Sequence, residues 1–477
     1  MAEVLTPDIC VVGGGSGGLS VAAAAAAFGV PCVLIERGKM GGDCLNTGCV
    51  PSKALLVAAK RAALTHGAAP FGIHTTADVN FAKVHDHVQR VIAAIAPNDS
   101  VERFTGLAVQ VIKGEAKFMD RRTVAVGNVY EIRARRFVIA TGSTAAAPSI
   151  PGLDKGFYFT NETIFNLKER PRHLVIIGAG PIGLEMAQGF RRLGSEVTVL
   201  EAAAPLAKDD SEAAAIVITQ LEREGVVVRS GVSVTGVDYV GHSVMVTFTG
   251  AAGEDEEKAE GSHLLVATGR KASLGALDLD AAGIRHDRGG IVVKKNLKTS
   301  NSRVYAIGDC ASGQLQFTHA ANYHAGLVIR NALFRLPVRI NNDTVPWVTF
   351  TDPELAQAGL TEAAARARKI KIRILRWPYH DNDRAQAERV THGHIKIITT
   401  RKGRILGATI VGAEAGELIS MWALAIAQAL NIRALTGIVL PYPTLSEIGK
   451  RAAIDFFTPN LTSPLLRRII RWLRIFG

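Results

Sequence analysis

Cysteine is scarce in this chain, with five in 477 residues, and only Cys44 and Cys49 stand at a motif spacing. That excludes a disulfide-stapled scaffold and fits a reducing compartment. Runs of about eighteen apolar residues are missing, so no helix is expected to span a membrane. The first residues include Glu3 and Asp8 and lack a basic leader, so no signal peptide is expected, and the expected location is cytoplasmic. Acidic residues are in deficit: 43 Asp and Glu against 55 Lys and Arg, a formal charge of +12. Such an excess invites a nucleic-acid or membrane partner. Stacking motifs and recognised nucleic-acid modules are absent, so no nucleic-acid partner is expected.

What is present is organised around Gly41-Gly42-Asp43-Cys44-Leu45-Asn46-Thr47-Gly48-Cys49-Val50-Pro51-Ser52-Lys53. Two cysteines five positions apart can bridge only if the backbone between them bends tightly. Gly48 and the turn-prone Asn46 permit that bend. Pro51 suits the first turn of a following helix. A thiol at a helix start is acidified, and Lys53 nearby acidifies it further. The pattern describes a reactive dithiol. A structural disulfide and half of a zinc site are the competing readings. The first sits badly with a reducing compartment. The second lacks a further ligand pair, so no metal site is expected.

Before the dithiol, Ile9-Cys10-Val11-Val12 reads as a buried parallel strand. Gly13-Gly14-Gly15-Ser16-Gly17-Gly18 then supplies G-x-G-x-x-G, a helix is expected over 19–28, and Val33-Leu34-Ile35 forms a strand ending at Glu36. The glycines admit a pyrophosphate to the helix start, and Glu36 stands where a ribose hydroxyl would bind. The pattern recurs in Leu174–Ile177, Gly178-Ala179-Gly180-Pro181-Ile182-Gly183, a helix, and Val197–Leu200 before Glu201. Both units close on an Ala-Thr-Gly turn, Ala140-Thr141-Gly142 and Ala267-Thr268-Gly269. Two such units imply two dinucleotides brought together in one chain. Glu201 predicts NADH over NADPH, because a carboxylate binds the ribose 2′-hydroxyl and repels a 2′-phosphate. Residues 202–207 offer no cation against that reading.

In this order the sequence resembles the class I pyridine nucleotide-disulfide oxidoreductases, which include dihydrolipoamide dehydrogenase, glutathione reductase and mercuric reductase. The resemblance implies an α/β fold of two Rossmann-like domains, for FAD and NAD, with a C-terminal α+β dimerisation domain. The expected boundaries are 1–154 and 276–340 for FAD, 155–275 for NAD, 341–460 for the interface and 461–477 for a tail. By resemblance Cys44 exchanges with the acceptor, Cys49 lies against the flavin as a charge-transfer thiolate, and Lys53 pairs with Glu185. The FAD residues implied are Gly13, Gly15, Ser16, Gly18, Glu36, Gly42, Thr47, Lys53, Ala116, Ala140, Thr141, Gly142, Asp309 and His319. For NAD they are Gly178, Gly180, Pro181, Ile182, Gly183, Glu201 and Gly269. Asp309 ends a second flavin fingerprint, and His319 opens a helix whose dipole favours negative charge on a reduced flavin.

The resemblance breaks at Pro441-Tyr442-Pro443-Thr444-Leu445-Ser446-Glu447. Dihydrolipoamide dehydrogenase and glutathione reductase have a histidine where Tyr442 stands, lent to the partner subunit's site as acid-base catalyst. A phenol titrates near pKa ~10 and is a poor base at neutral pH. Mercuric reductases also place tyrosine there, but they add a C-terminal cysteine pair, and no cysteine follows Cys310. The expectation is a homodimeric reductase passing electrons from NADH through FAD and Cys44–Cys49 to a disulfide, metal ion or other small acceptor, with Tyr442 and Glu447 assisting. A membrane-surface quinone reductase, a dihydrolipoyl dehydrogenase and an NADH-sensing scaffold are the alternatives.

Four stretches carry less. Phe81, Val84, Val88, Val91 and Ile95 repeat at helical spacing and read as packing. Gly250–Gly261 reads as an acidic loop. Lys369, Lys371 and Arg373 alternate with isoleucines and predict a strand with one basic face. Finally, Ser463-Pro464 caps an expected helix with Leu465, Leu466, Ile469, Leu473 and Phe476 on one face and Arg467, Arg471 and Arg474 on another, Arg468 and Trp472 beside them. At roughly 21 Å it is too short to span a bilayer. It suits the inner membrane surface, through residues 464–477, or packing on its own protein.

Overall fold

The computed structural model describes residues 2–76, 78–250, 255–461 and 463–477, leaving aside the side chains of His66, Asn460 and Leu461. The chain forms two compact units. One joins residues 1–202 to 232–342, and the other joins 203–231 to 343–477.

The first unit is built on two parallel sheets. The larger has the strand order Val304–Ala306, Arg136–Ile139, Ile9–Val12, Cys32–Glu36, Val109–Lys113. Its central strands are apolar without alternation because both faces are covered. One face packs on the helices Ser16–Ala27 and Thr318–Ala332 through Leu19, Val21, Ala325 and Val328. The smaller sheet sets His173–Ile177 between Glu196–Glu201 and His263–Val266. Its helix, Pro181–Arg192, starts at the second glycine loop.

The helix of the first unit begins at Ser16, three residues before the expected start. Gly17 and Gly18 weigh against a helix by propensity. Packing overrides this: a Cβ on Gly18 would come 1.9 Å from the Gly13 carbonyl oxygen, so only glycine lets helix and strand approach. The second loop repeats the device, with 2.0 Å between a Cβ on Gly183 and the Gly178 oxygen. Gly13 and Gly178 also share a left-handed turn, at φ +110° and +109°.

The second unit is a five-stranded antiparallel sheet in the order Trp347–Thr349, Glu354–Gly359, Ile405–Gly412, His394–Thr400, Ile372–Pro378. The helices Ala415–Ala427 and Glu447–Asp455 bury Ile419, Trp422, Ile448 and Ala452 with it in one core. Segment 203–231, expected in the nucleotide domain, clusters here. Lys396, with 3% of its side chain exposed, reaches Asp210 at 2.8 Å and Glu212 at 2.6 Å. Trp347 Nε1 donates to Asp209 at 2.7 Å.

Three expectations change. Glu257–Gly261 is a strand, extending the hairpin by antiparallel pairing with Val244–Phe248; of the expected acidic loop, 251–254 lie outside the described residues. The basic strand starts at Ile372, since Lys369 takes a left-handed turn at φ +55° after the helix Glu362–Ala367. The tail is a helix over Pro464–Leu473 followed by a 3-10 turn over Arg474–Phe476, with Ser463 Oγ accepting from the Leu466 amide. No described helix is long and apolar enough to cross a membrane.

Candidate active site

Cys44 lies on a one-turn helix, Gly42–Asn46, and Cys49 is the first residue of the long helix Cys49–His66. Between them the chain leaves the first helix at Thr47 (φ −144°) and turns at Gly48 (φ −123°, ψ −115°) before the second begins. The turn ahead of Cys44 needs Gly41 and Gly42, at φ +85° and +59°; a Cβ on Gly42 would strike Gly15 Cα at 2.7 Å. The dithiol turn is thus pressed against the first glycine loop. Both cysteines are free thiols. Cys49 is lowered to about 6, first by the hydrogen bond from Cys44 and then, against its burial, by Thr318 and Lys53. Cys44 is pushed up by that same bond, by burial and by the charge on Cys49. One proton is shared unequally, and Cys49 carries the charge. Thr318 Oγ1 stands 3.5 Å from Cys49 Sγ, at the first turn of the helix Thr318–Ala332. That end of a helix favours the charge.

Lys53 Nζ stands 2.8 Å from Glu185 Oε2, across two helices. The Glu185 side chain is 5% exposed, so its charge depends on such partners. Glu36 accepts from the amides of Gly14 and Gly38. Glu201 accepts from the Ala179 amide in the same manner, so each carboxylate closes its own glycine loop.

Asp309 accepts from Ser143 Oγ at 2.6 Å, and burial raises its pKa. Ser16 Oγ donates to Asn322 Oδ1 at 2.6 Å, and His319 is exposed and stacks on Phe317. Ala116 opens the strand Ala116–Phe118, and Ala140, Thr141 and Gly142 follow the strand Arg136–Ile139. Gly15, Gly180 and Gly269 decide whether dinucleotides fit. A Cβ on Gly180 or Gly269 would meet nothing within 4 Å, and one on Gly15 only Gly42 Cα at 3.8 Å. The first and third glycines pack on protein while the second faces open space, as a phosphate on the backbone requires. The residues fit FAD at the first loop and a pyridine nucleotide at the second, where Pro181 and Ile182 open the helix and Gly183 packs.

Tyr442 and Glu447 lie in the second unit. Tyr442 is 69% exposed and donates its hydroxyl to Asp383 Oδ2 at 2.8 Å. That bond, the charge of Asp383 and that of Glu447 raise the phenol further. Glu447 begins the helix Glu447–Asp455. Sequence reasoning missed Asp43, Ser143, Arg270, Thr318 and Asp383. Asp43 and Thr318 adjoin residues it named, and Arg270 follows the second Ala-Thr-Gly turn, but contacts across 59 to 269 residues leave no local mark.

Residues 7–325 match the pyridine nucleotide-disulphide oxidoreductase family, and residues 345–453 match its dimerisation domain. The chain belongs to this family. It is 36% identical to a mercuric reductase of Bacillus cereus over 455 residues, covering 94% of this chain and 71% of that protein. It is 34% identical to a dihydrolipoyl dehydrogenase of Staphylococcus aureus, covering 94% and 96%. Among solved structures, a Cu(II) complex of RclA, an HOCl-induced flavoprotein disulfide reductase from Escherichia coli, aligns with a TM-score of 0.84 at 27% identity, covering 95% of this chain and all of that one. The chain is thus a flavoprotein disulfide oxidoreductase that uses FAD and a pyridine nucleotide, and its dimerisation domain points to a homodimer as in the family.

Proposed function

We propose that this reductase takes electrons from NADH and delivers them through Cys49 and then Cys44 to a small acceptor, with soft metal ions as the favoured class. FAD, held at the first glycine loop, would supply two-electron relay between nicotinamide and sulfur. Lys53 and Glu185 hold a fixed charge pair beside the dithiol helix. Cys49 keeps the thiolate, and Cys44 keeps the proton until an acceptor binds. The carrying observation is the tyrosine: Tyr442, hydrogen-bonded to Asp383, is a weaker acid than a free phenol and so a poor proton donor. An organic disulfide needs its departing thiolate protonated, whereas a soft metal ion binds sulfur without that step. The mercuric reductase relatives and the copper-bound neighbour support the same class.

The test is an anaerobic screen of NADH with Hg(II), Cu(II), lipoamide, glutathione disulfide and quinones. Turnover with lipoamide above that with metal ions overturns the acceptor class. Cys49→Ser separates a second reading, direct transfer from flavin to quinone, which it would spare. The preference for NADH rests on Glu201 and the cation-free stretch after it; a tenfold advantage of NADPH in kcat/KM overturns it.

The tail supports peripheral attachment to an anionic membrane surface. Leu465, Ile470, Trp472, Ile475 and Phe476 are each more than half exposed, and four arginines accompany them without an acid after Asp455. A cationic amphipathic helix of this kind lies in a headgroup layer.

A further inference from the structure

Asp43 precedes Cys44 and is the most heavily engaged carboxylate near the dithiol. Its Oδ1 accepts from Thr47 Oγ1 at 2.5 Å and from Asn161 Nδ2 at 3.2 Å. Its Oδ2 pairs with Arg270 Nη2 at 3.0 Å. Gly48 makes room for it: a Cβ there would lie 3.1 Å from Oδ2 and 3.0 Å from the Asp43 carbonyl oxygen. Asn161, itself buried, also donates to the Thr47 carbonyl at 3.3 Å. The arginine is built in as firmly. With 12% of its side chain exposed, it donates to Ser143 Oγ at 2.8 Å and to the Ser143 carbonyl at 2.9 Å, and its Nε stands 3.8 Å from Asp309. One guanidinium therefore serves two carboxylates, one on the dithiol turn and one after the strand Val304–Ala306.

We propose that Asp43 and Arg270 are a positioning pair for the redox centre: Arg270 fastens the dithiol turn to the Ser143–Asp309 segment and neutralises the carboxylate beside the two sulfurs. Without Arg270, Asp43 is an unmatched negative charge next to a thiolate, which it opposes. Without Asp43, Arg270 is a surplus positive charge, which favours the thiolate. The two deletions therefore act in opposite directions, which loss of a merely structural clamp does not produce. The other groups facing Cys49 are Cys44 on the short helix, Lys53 on its own helix with Glu185 behind it, and Thr318 on the helix opposite. Neither variant changes any of these residues.

The inference rests on the reading of Cys44 and Cys49 as the redox pair, and its test is separable from the choice of acceptor. Flavin-bound protein is reduced with dithiothreitol, and the pH dependence of iodoacetamide labelling at Cys49 is followed by peptide mass spectrometry. Asp43→Asn should move the midpoint down by about half a pH unit, and Arg270→Met should move it up by a similar amount. The double variant should return toward the starting value. Shifts of the same sign, or none, overturn the proposal. Should Arg270→Met fail to fold, Asp43→Asn decides alone: a midpoint that stays or rises sinks the idea. Failure to reduce any metal ion would defeat the acceptor class and leave this result readable.

Discussion

Cys49 is held near pKa 6 chiefly by the thiol hydrogen of Cys44, so the two sulfurs cannot be varied independently. Cys44→Ala removes the largest cause, and the labelling midpoint of Cys49 should climb from about 6 toward the ordinary thiol range near 8.5. An unchanged midpoint would mean that Lys53 and Thr318 suffice. His324 offers a stability test. It is fully buried, its Nδ1 accepts from the Gly308 amide at 3.2 Å, and burial lowers its pKa to about 4. The unfolded chain takes up a proton near 6.5 and the folded one does not, so the neutral imidazole's contribution is complete above pH 6.5 and is lost as pH falls toward 4. Its ceiling is about 3 kcal/mol, and His324→Gln should flatten denaturant midpoints across that window. Lys53→Met removes the ammonium paired with the buried Glu185 carboxylate. Because Lys53 is a third exposed, the cost should be about 2 kcal/mol, below that of a fully buried pair. A denaturant titration showing no loss would mean that Glu185's other partners suffice.

The two glycine loops share the same close approach of helix to strand and have separable consequences. Gly18→Ala drives a methyl into the Gly13 carbonyl and should yield colourless protein that flavin does not restore. Gly183→Ala makes the same collision in the second loop and should leave the protein yellow while abolishing bleaching by NADH. Equal loss of colour in both variants would show that the loops do not divide the cofactors in this way. The tail helix is testable alone. Truncation after Asn460 should release the protein from vesicles containing anionic lipid, and the release should shrink as salt rises, since arginines supply part of the attachment. Unchanged partitioning would leave the exposed apolar face to the dimer.

For the whole molecule, a homodimer in which each dithiol is served by the other subunit's Tyr442 predicts complementation. Cys44→Ser and Tyr442→Ala homodimers should both be impaired. Refolding them together should create heterodimers with one intact site, and activity should return. Sites complete within one chain would show no recovery beyond the sum of the two.

The sequence alone determined both dinucleotide loops and the dithiol, because each is a short contiguous pattern whose chemistry depends on residues a few positions apart. The fold class, the missing histidine and the pairing of Lys53 with Glu185 were legible only through resemblance. Tertiary structure decided what no local pattern encodes. It brings Arg270, Ser143, Asn161 and Asp309 around Asp43, over separations of 100 to 266 residues. It starts the first helix at Ser16 because a strand carbonyl fills the space a side chain would need. It makes Cys49, rather than Cys44, the charged sulfur through a thiol, a threonine and an ammonium drawn from three helices. Charge and packing act through space, and the chain's order records only neighbours along it.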